Sequence, residues 1–287
     1  FNSPQGYTPI LESIARIYNR QREDLIKIKD TFYIPTLSST SEPSLESQKI
    51  KEFLRSIKQI EGVVLGIDVG GTDVKISIAD SQMLAEHKVI SKKYTWEIKP
   101  KKFTHLSQFS EYLNKLILFI LCVYSFKKQY ENIPQRKRED LKERINNALN
   151  NANISLTEIE RITKDIQETE ITIYPPASVG ISFPDIVMDN QIVGGMTSKT
   201  KGVREKYQKE NNMKGYWQEF NNHLRPLAEI ISHNIAKTFK ISPIPVAITN
   251  DGNVGSIWAA VELEEANIFN FAGGTSFGGG LIGEEGR

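Results

Sequence analysis

The chain has 287 residues, 39% hydrophobic and 25% charged, with a formal net charge of +1. These values fit a soluble protein with a sizeable core in one large or two ordinary domains. The charge balance itself points to no nucleic-acid or membrane partner. The single cysteine, Cys122, excludes an internal disulfide framework and fits a reducing, cytoplasmic setting.

Residues 1–60 read as a helical N-terminal extension. Ile10, Ile14, Ile17 and Tyr18 fall at helical spacing, and 36–47 form a polar linker. Ser44 is placed to cap a second helix that carries Ile50, Phe53, Leu54 and Ile57 on one face. The arm has no chemical motif and reads as an accessory extension for packing, self-association or a partner.

From Val63 the period changes. Residues 63–68 read as a strand, 69–72 as a turn, 74–78 as a second strand by alternation, and 84–98 offer a third. Three strands in sequence predict an antiparallel meander. Residues 104–170 then read as helices. Phe109, Leu113, Leu116, Ile117 and Ile120 line one, Leu141, Ile145 and Leu149 another, and Leu156, Ile159, Ile162 and Ile166 a third. The apolar run 116–124 is about half the roughly 20 residues of a membrane helix and reads as a buried helix. The basic pairs and triplets at 127–128 and 136–138 are followed by acids, so a solvated helix face is preferred to nucleic-acid binding.

"ASVGISFPDIV" (177–187) reads as a buried strand broken by proline, and Leu227, Ile230, Ile231, Ile235 and Phe239 as an amphipathic helix. "IPVAITND" (244–251) is a second buried strand, and Val254, Ile257, Trp258 and Val261 follow at helical spacing. "IFNFAGGTSFGGGLIG" (268–283) closes the chain as strand, glycine turn and strand.

Two glycine-rich hairpin turns, each with a threonine beside glycine, are candidate anion nests, because glycine lets backbone N–H groups approach a phosphate. A plain hairpin is the alternative for either turn. Neither has the pattern of a P-loop or of a dinucleotide-binding turn. Asp68, at a strand end beside the first turn, would suit a hydrated Mg²⁺, or would simply accept hydrogen bonds from turn amides. Asp251 could take a proton from a hydroxyl nucleophile with Asn250 orienting the substrate, or Asp251 or Asn253 could cap the following helix.

Together these segments resemble the sugar kinases of the actin-like ATPase superfamily, specifically the ROK group and the hexokinases. "GIDVGGTDVK" (66–75) resembles the family's first phosphate motif, "VGISFPD" (179–185) the entry to the sugar site, and "SKTKGV" (198–203) the sugar-contacting loop. "ITNDGNVGS" (248–256) resembles the Asn-Asp motif of the catalytic base, and "GGTSFGGGLI" (273–282) the second phosphate motif.

The resemblance implies an α/β, ribonuclease-H-like two-lobed fold over residues 61–287. The first lobe would span 61–185 with a helical insertion at about 104–170, and 186–287 would begin a second lobe, incomplete at Arg287. It implies ATP-dependent phosphorylation of a hexose-like sugar, with ATP and Mg²⁺ as cofactors. Asp251 would be the base, and Ser182, Thr200, Lys201 and Asn250 would join it in binding the sugar. Gly70, Gly71, Thr72, Gly274, Thr275 and Ser276 would bind ATP phosphates, and Asp68 would hold Mg²⁺ through water. Asp73 stands where the family usually has Lys or Asn. Lys75, two residues on, is expected on the same strand face, where it could offset that charge. The alternative is a sugar-sensing or scaffolding protein on the same fold without turnover, which would need no base at Asp251.

Overall fold

The computed structural model describes residues 62–70, 73–86, 88–95, 104–194, 201–254, 256, 268–273 and 277–282. The expected N-terminal helices lie outside these residues, as do Gly71, Thr72, Thr200, Gly274, Thr275 and Ser276.

Period-2 alternation builds the central sheet. In β1 (Val63–Val69), Val63, Leu65, Ile67 and Val69 are buried, while Gly66 is exposed and Asp68 is half-buried. β2 (Asp73–Asp80) buries Val74, Ile76 and Ile78, and β3 (Ile90–Thr95) buries Ile90, Lys92 and Tyr94. β1 and β2 pair antiparallel from Val63–Asp80 to Val69–Val74, and β2 and β3 pair antiparallel from Ile78–Ile90 to Asp73–Thr95. The expected meander is present. The third strand is shorter than the stretch that suggested it, because α1 (Ser81–Ala85) takes up the chain directly after β2. Asp80 starts that turn by accepting the Met83 N–H at 2.8 Å.

β4 (Ser178–Phe183) pairs parallel with β1 and stops before Pro184, which has no N–H to continue a ladder. β7 (Val246–Asn250) pairs parallel with β4 and completes a mixed five-stranded sheet of order β3-β2-β1-β4-β7. The α/β expectation therefore holds. β7 lies beyond the lobe boundary expected at residues 185 and 186, so this sheet draws on both sides of that boundary. Motif order suggested the boundary, whereas strand pairing decides which segments share a sheet.

β5 (Ile186–Met188) and β6 (Gln191–Gly194) form a separate ribbon, and β8 (Ile268–Gly273) and β9 (Phe277–Ile282) another. Asp189 and Asn190, both at positive φ, turn the first ribbon. Asn190 also covers the edge strand: its side chain donates to the Val246 carbonyl at 2.9 Å and accepts the Ile248 N–H at 2.7 Å. An edge strand whose backbone groups are used in this way is a poorer template for pairing with another chain.

The helices are α2 (Ser107–Lys128), α3 (Gln135–Asn150), α4 (Leu156–Gln167), α5 (Lys201–Lys209), α6 (Met213–Glu219) and α7 (Leu227–Phe239), with a π turn at Phe220–Leu224. α2 is buried along nearly its whole length, including every residue from Phe119 to Phe126. It lies on β2 and β3 and is flanked by α4 and α7, so no long polar face is required of it. It is long and apolar enough to cross a membrane by length and composition, but here it packs inside protein. The region 104–170 thus supplies the core cover of the sheet as well as the outer helices α3 and α4.

The sheet is two-faced. Val63, Leu65, Ile67, Val74, Ile76, Ile78, Val179, Ile181 and Ile248 share one apolar cluster with α2, α4 and α7. The opposite face carries Gly66, Asp68, Lys75, Lys93, Gly180, Ser182, Ala247 and Thr249, of which Gly66, Lys75, Lys93, Gly180 and Ala247 are exposed. A Cβ added at Gly66 or Gly180 would meet nothing within 4 Å.

Candidate functional site

Parallel pairing sets the carboxyl ends of β1, β4 and β7 side by side. Asp68 is opposite Ser182, Ser182 is opposite Thr249, and Phe183 is opposite Asn250. Gly70 follows β1 and Asp251 follows β7. Five sequence-predicted site residues (Asp68, Gly70, Ser182, Asn250 and Asp251) therefore gather on one edge of one sheet. Side chains at strand carboxyl ends commonly face the ligand in α/β proteins.

Each residue is held in a specific way. Ser182 is 9% exposed, on the polar face of β4. Asn250 braces two segments: its Nδ2 donates to the Asp185 carbonyl at 3.0 Å, and its Oδ1 accepts the Gly252 N–H at 2.9 Å. The first bond ties the end of β7 to the turn after β4. The second helps start the helical residues 251–254. Asp251 is exposed, and its Oδ1 also accepts the Gly252 N–H at 2.9 Å. Its other carboxylate oxygen has no hydrogen bond among the described residues. The arrangement combines a helix-starting contact with an oxygen open to a ligand.

At the first turn, Gly70 is required by close approach. A Cβ there would come within 2.7 Å of Asp73 Oδ1 and 3.1 Å of its carbonyl. Asp73 therefore folds back over Gly70. Its charge is met by Lys93, at 2.9 Å, and not by Lys75. Lys75 instead pairs with Asp68 at 3.7 Å. Lys75 does share a strand face with Asp73, as expected, but it does not offset that charge. The reason is register: Asp68 and Lys75 are direct cross-strand partners, and Lys93 reaches Asp73 diagonally from β3. The Asp68–Lys75 pair is about half-exposed on both sides, so it contributes little stability, about 0–1 kcal/mol. A carboxylate this open can take a hydrated cation without first being dug out of a core. Among the described residues no group of three or more His, Cys, Asp or Glu side chains converges as a metal site; a cation held through water on one carboxylate needs none.

The sugar-loop expectation is corrected in part. Lys201, Gly202 and Val203 form the first turn of α5 rather than a loop. Val203 is fully buried and Tyr207 packs half-buried on the same face, while Lys201 and Glu205 pair at 3.8 Å one turn apart. This apolar stripe was present in the sequence but short.

Lys93, Asp185 and Asn190 were not singled out from sequence. A cross-strand reading of the β2–β3 pair would have found Lys93, and the Asp189-Asn190 pair is a hairpin-turn signal. A cavity of about 420 Å³ opens between the end of α2 and α3, lined by Lys127, Lys128, Tyr130, Lys142 and Ile145 among others. None of its lining residues is a sequence-predicted site residue. The basic triplet nearby behaves as a helix face: Arg136 and Lys137 are exposed, and Arg138 pairs with Glu131 at 2.6 Å over the Tyr130 ring. No family model matches the chain, and no curated protein matches it.

Proposed function

We propose that the protein is an ATP-dependent kinase acting on a hexose-like sugar, on a ribonuclease-H-like lobe of the actin-like ATPase type. The observation that carries this reading is the shared carboxyl edge of β1, β4 and β7, with Asp68, Gly70, Ser182, Asn250 and Asp251 along it. An antiparallel meander joined to two strands parallel with its first forms one mixed sheet, which is compatible with such a lobe. The pairing of Asp73 with Lys93 supports the reading too, because it offsets the negative charge that suits a phosphate site least.

In this account Asp251 accepts the proton of the attacking sugar hydroxyl through its open oxygen. Asn250 and Ser182 orient the sugar, and Lys201 at the start of α5 adds a donor. Asp68 would hold hydrated Mg²⁺, and the glycine turn after β1 would bind phosphate oxygens. ATP supplies the transferred phosphoryl group when bound. What remains for the protein is alignment and charge stabilisation, the main demands of phosphoryl transfer.

One observation favours the second reading, a sugar-binding protein without turnover. Asp251 already uses one carboxylate oxygen to accept the N–H of its neighbour Gly252, a structural contact that needs no catalysis. A coupled ADP-release assay on the full-length protein across hexoses and amino sugars separates the two, with Asp251→Ala as control. Sugar-dependent ADP release that is lost in the variant supports the kinase. Saturable sugar binding without release supports the second reading.

A further inference from the structure

Glu219, the last residue of α6, makes more contacts than a helix-end glutamate needs. Its side chain is 17% exposed. Oε2 accepts the Leu106 N–H at 2.9 Å, while Oε1 accepts the Tyr207 hydroxyl at 2.9 Å and meets His105 Nδ1 at 2.6 Å. One carboxylate thus joins the residues before α2, the second turn of α5 and the end of α6. Burial pushes Glu219 upward, but the bonds from His105, Leu106 and Tyr207 outweigh it and hold the carboxyl below its ordinary value.

The contact with Leu106 has a local rationale. Leu106 is the N-cap of α2, a 22-residue helix, and its own side chain provides no cap. A carboxylate from a distant segment takes that N–H and sits where the helix dipole favours negative charge. The first turn of α2 carries Phe109, whose ring packs edge-on against Phe183 at 6.0 Å between centroids. Phe183 ends β4, next to Ser182. On the other side, Tyr207 stands in α5, the helix that begins at Lys201.

We infer that Glu219 is a positioning residue. Its carboxylate fastens α5 and α6 to the amino end of α2, and so sets where Lys201 and the first turn of α5 stand relative to the carboxyl edge of the sheet. The effect on substrate rests on the kinase reading; the fastening does not.

The test uses the full-length protein with Glu219→Gln and the milder Tyr207→Phe, which removes a single hydrogen bond. Amide hydrogen exchange is expected to rise over 201–209 in both and over 104–109 in Glu219→Gln, with β1, β4 and β7 unchanged. In the ADP-release assay the sugar KM is expected to rise about tenfold in Glu219→Gln, with kcat and the ATP KM changed by less than about twofold, as a binding-side misplacement would give. Unchanged exchange over 201–209 in both variants overturns the inference. So does a rise spread evenly over the sheet, which would mark a general loss of stability. Equal loss in kcat and in both KM values also counts against it. If the wild-type protein shows no sugar-dependent turnover, the kinase reading fails and the exchange pattern alone decides the fastening.

Discussion

Asp80 ends β2 with three side-chain bonds: the Met83 N–H at 2.8 Å, the Tyr124 hydroxyl at 2.7 Å and Lys128 Nζ at 2.6 Å. Burial alone would raise this carboxyl. The bonds from Lys128, Met83 and Tyr124 win and lower it from 3.8 to about 2. A carboxyl lowered in the folded state contributes stability above its unfolded value, and that contribution is lost as pH falls toward the folded one. Asp80→Asn is therefore expected to cost about 1–3 kcal/mol at neutral pH by denaturant titration. The difference from wild type should shrink between about pH 4 and pH 2. Lys92 is the opposite case. It is 2% exposed, its Nζ bonds the Asn151 carbonyl at 2.5 Å, and burial lowers it from 10.5 to about 8. Below about pH 8 it is charged in both states and its desolvation weighs on the fold. Between about 8 and 10.5 the unfolded chain holds a proton that the folded chain has released, so stability rises with pH. Lys92→Met should be the more stable protein at pH 7, and its lead should narrow through that window. The Asn151 carbonyl keeps the Ile154 N–H in the variant. Neither residue was marked by sequence: Lys92 sits in an apolar row, but only pairing and packing reveal that the row is buried there.

At the scale of elements, local period was readable and pairing was not. The alternation of Val74, Ile76 and Ile78 and the helical spacing of Ile159, Ile162 and Ile166 each bury one face, and each follows from a few adjacent residues. β7 could be read as a strand from "IPVAITN", but nothing local says that its partner is β4, some sixty residues earlier. A parallel partner is chosen through a crossover, so its identity is a property of the packed chain. The Asp68–Lys75 pairing, unlike the Asp73–Lys75 one expected from strand alternation, is likewise a consequence of register. α2 carries the most weight among the elements. Phe119 is fully buried within it, in the apolar cluster that the helices share with the sheet. Phe119→Ala is expected to lower stability by about 3–5 kcal/mol, measured by denaturant unfolding, with the cost set by how far the site can collapse.

Across the whole molecule, the division of labour is between an apolar sheet face that takes the helices and a carboxyl edge that gathers the polar residues. The residues of that edge were legible one motif at a time: Asp68 and Gly70 beside a glycine turn, Ser182 before proline, Asn250 and Asp251 after an apolar strand. Their adjacency was not legible, because it depends on β1, β4 and β7 lying next to one another. The orienting bond from Asn250 to the Asp185 carbonyl is a product of the same adjacency. This edge is the basis of the account, and Asp251 is the residue on which its chemistry turns. The most direct measurement is ³¹P detection of sugar phosphate formed from ATP by the full-length protein, wild type against Asp251→Asn. The account predicts sugar phosphate from the wild type and a loss of at least about 10²-fold in the variant, the scale of a removed general base. Equal product from both proteins, or none from either with any sugar bound, would contradict it.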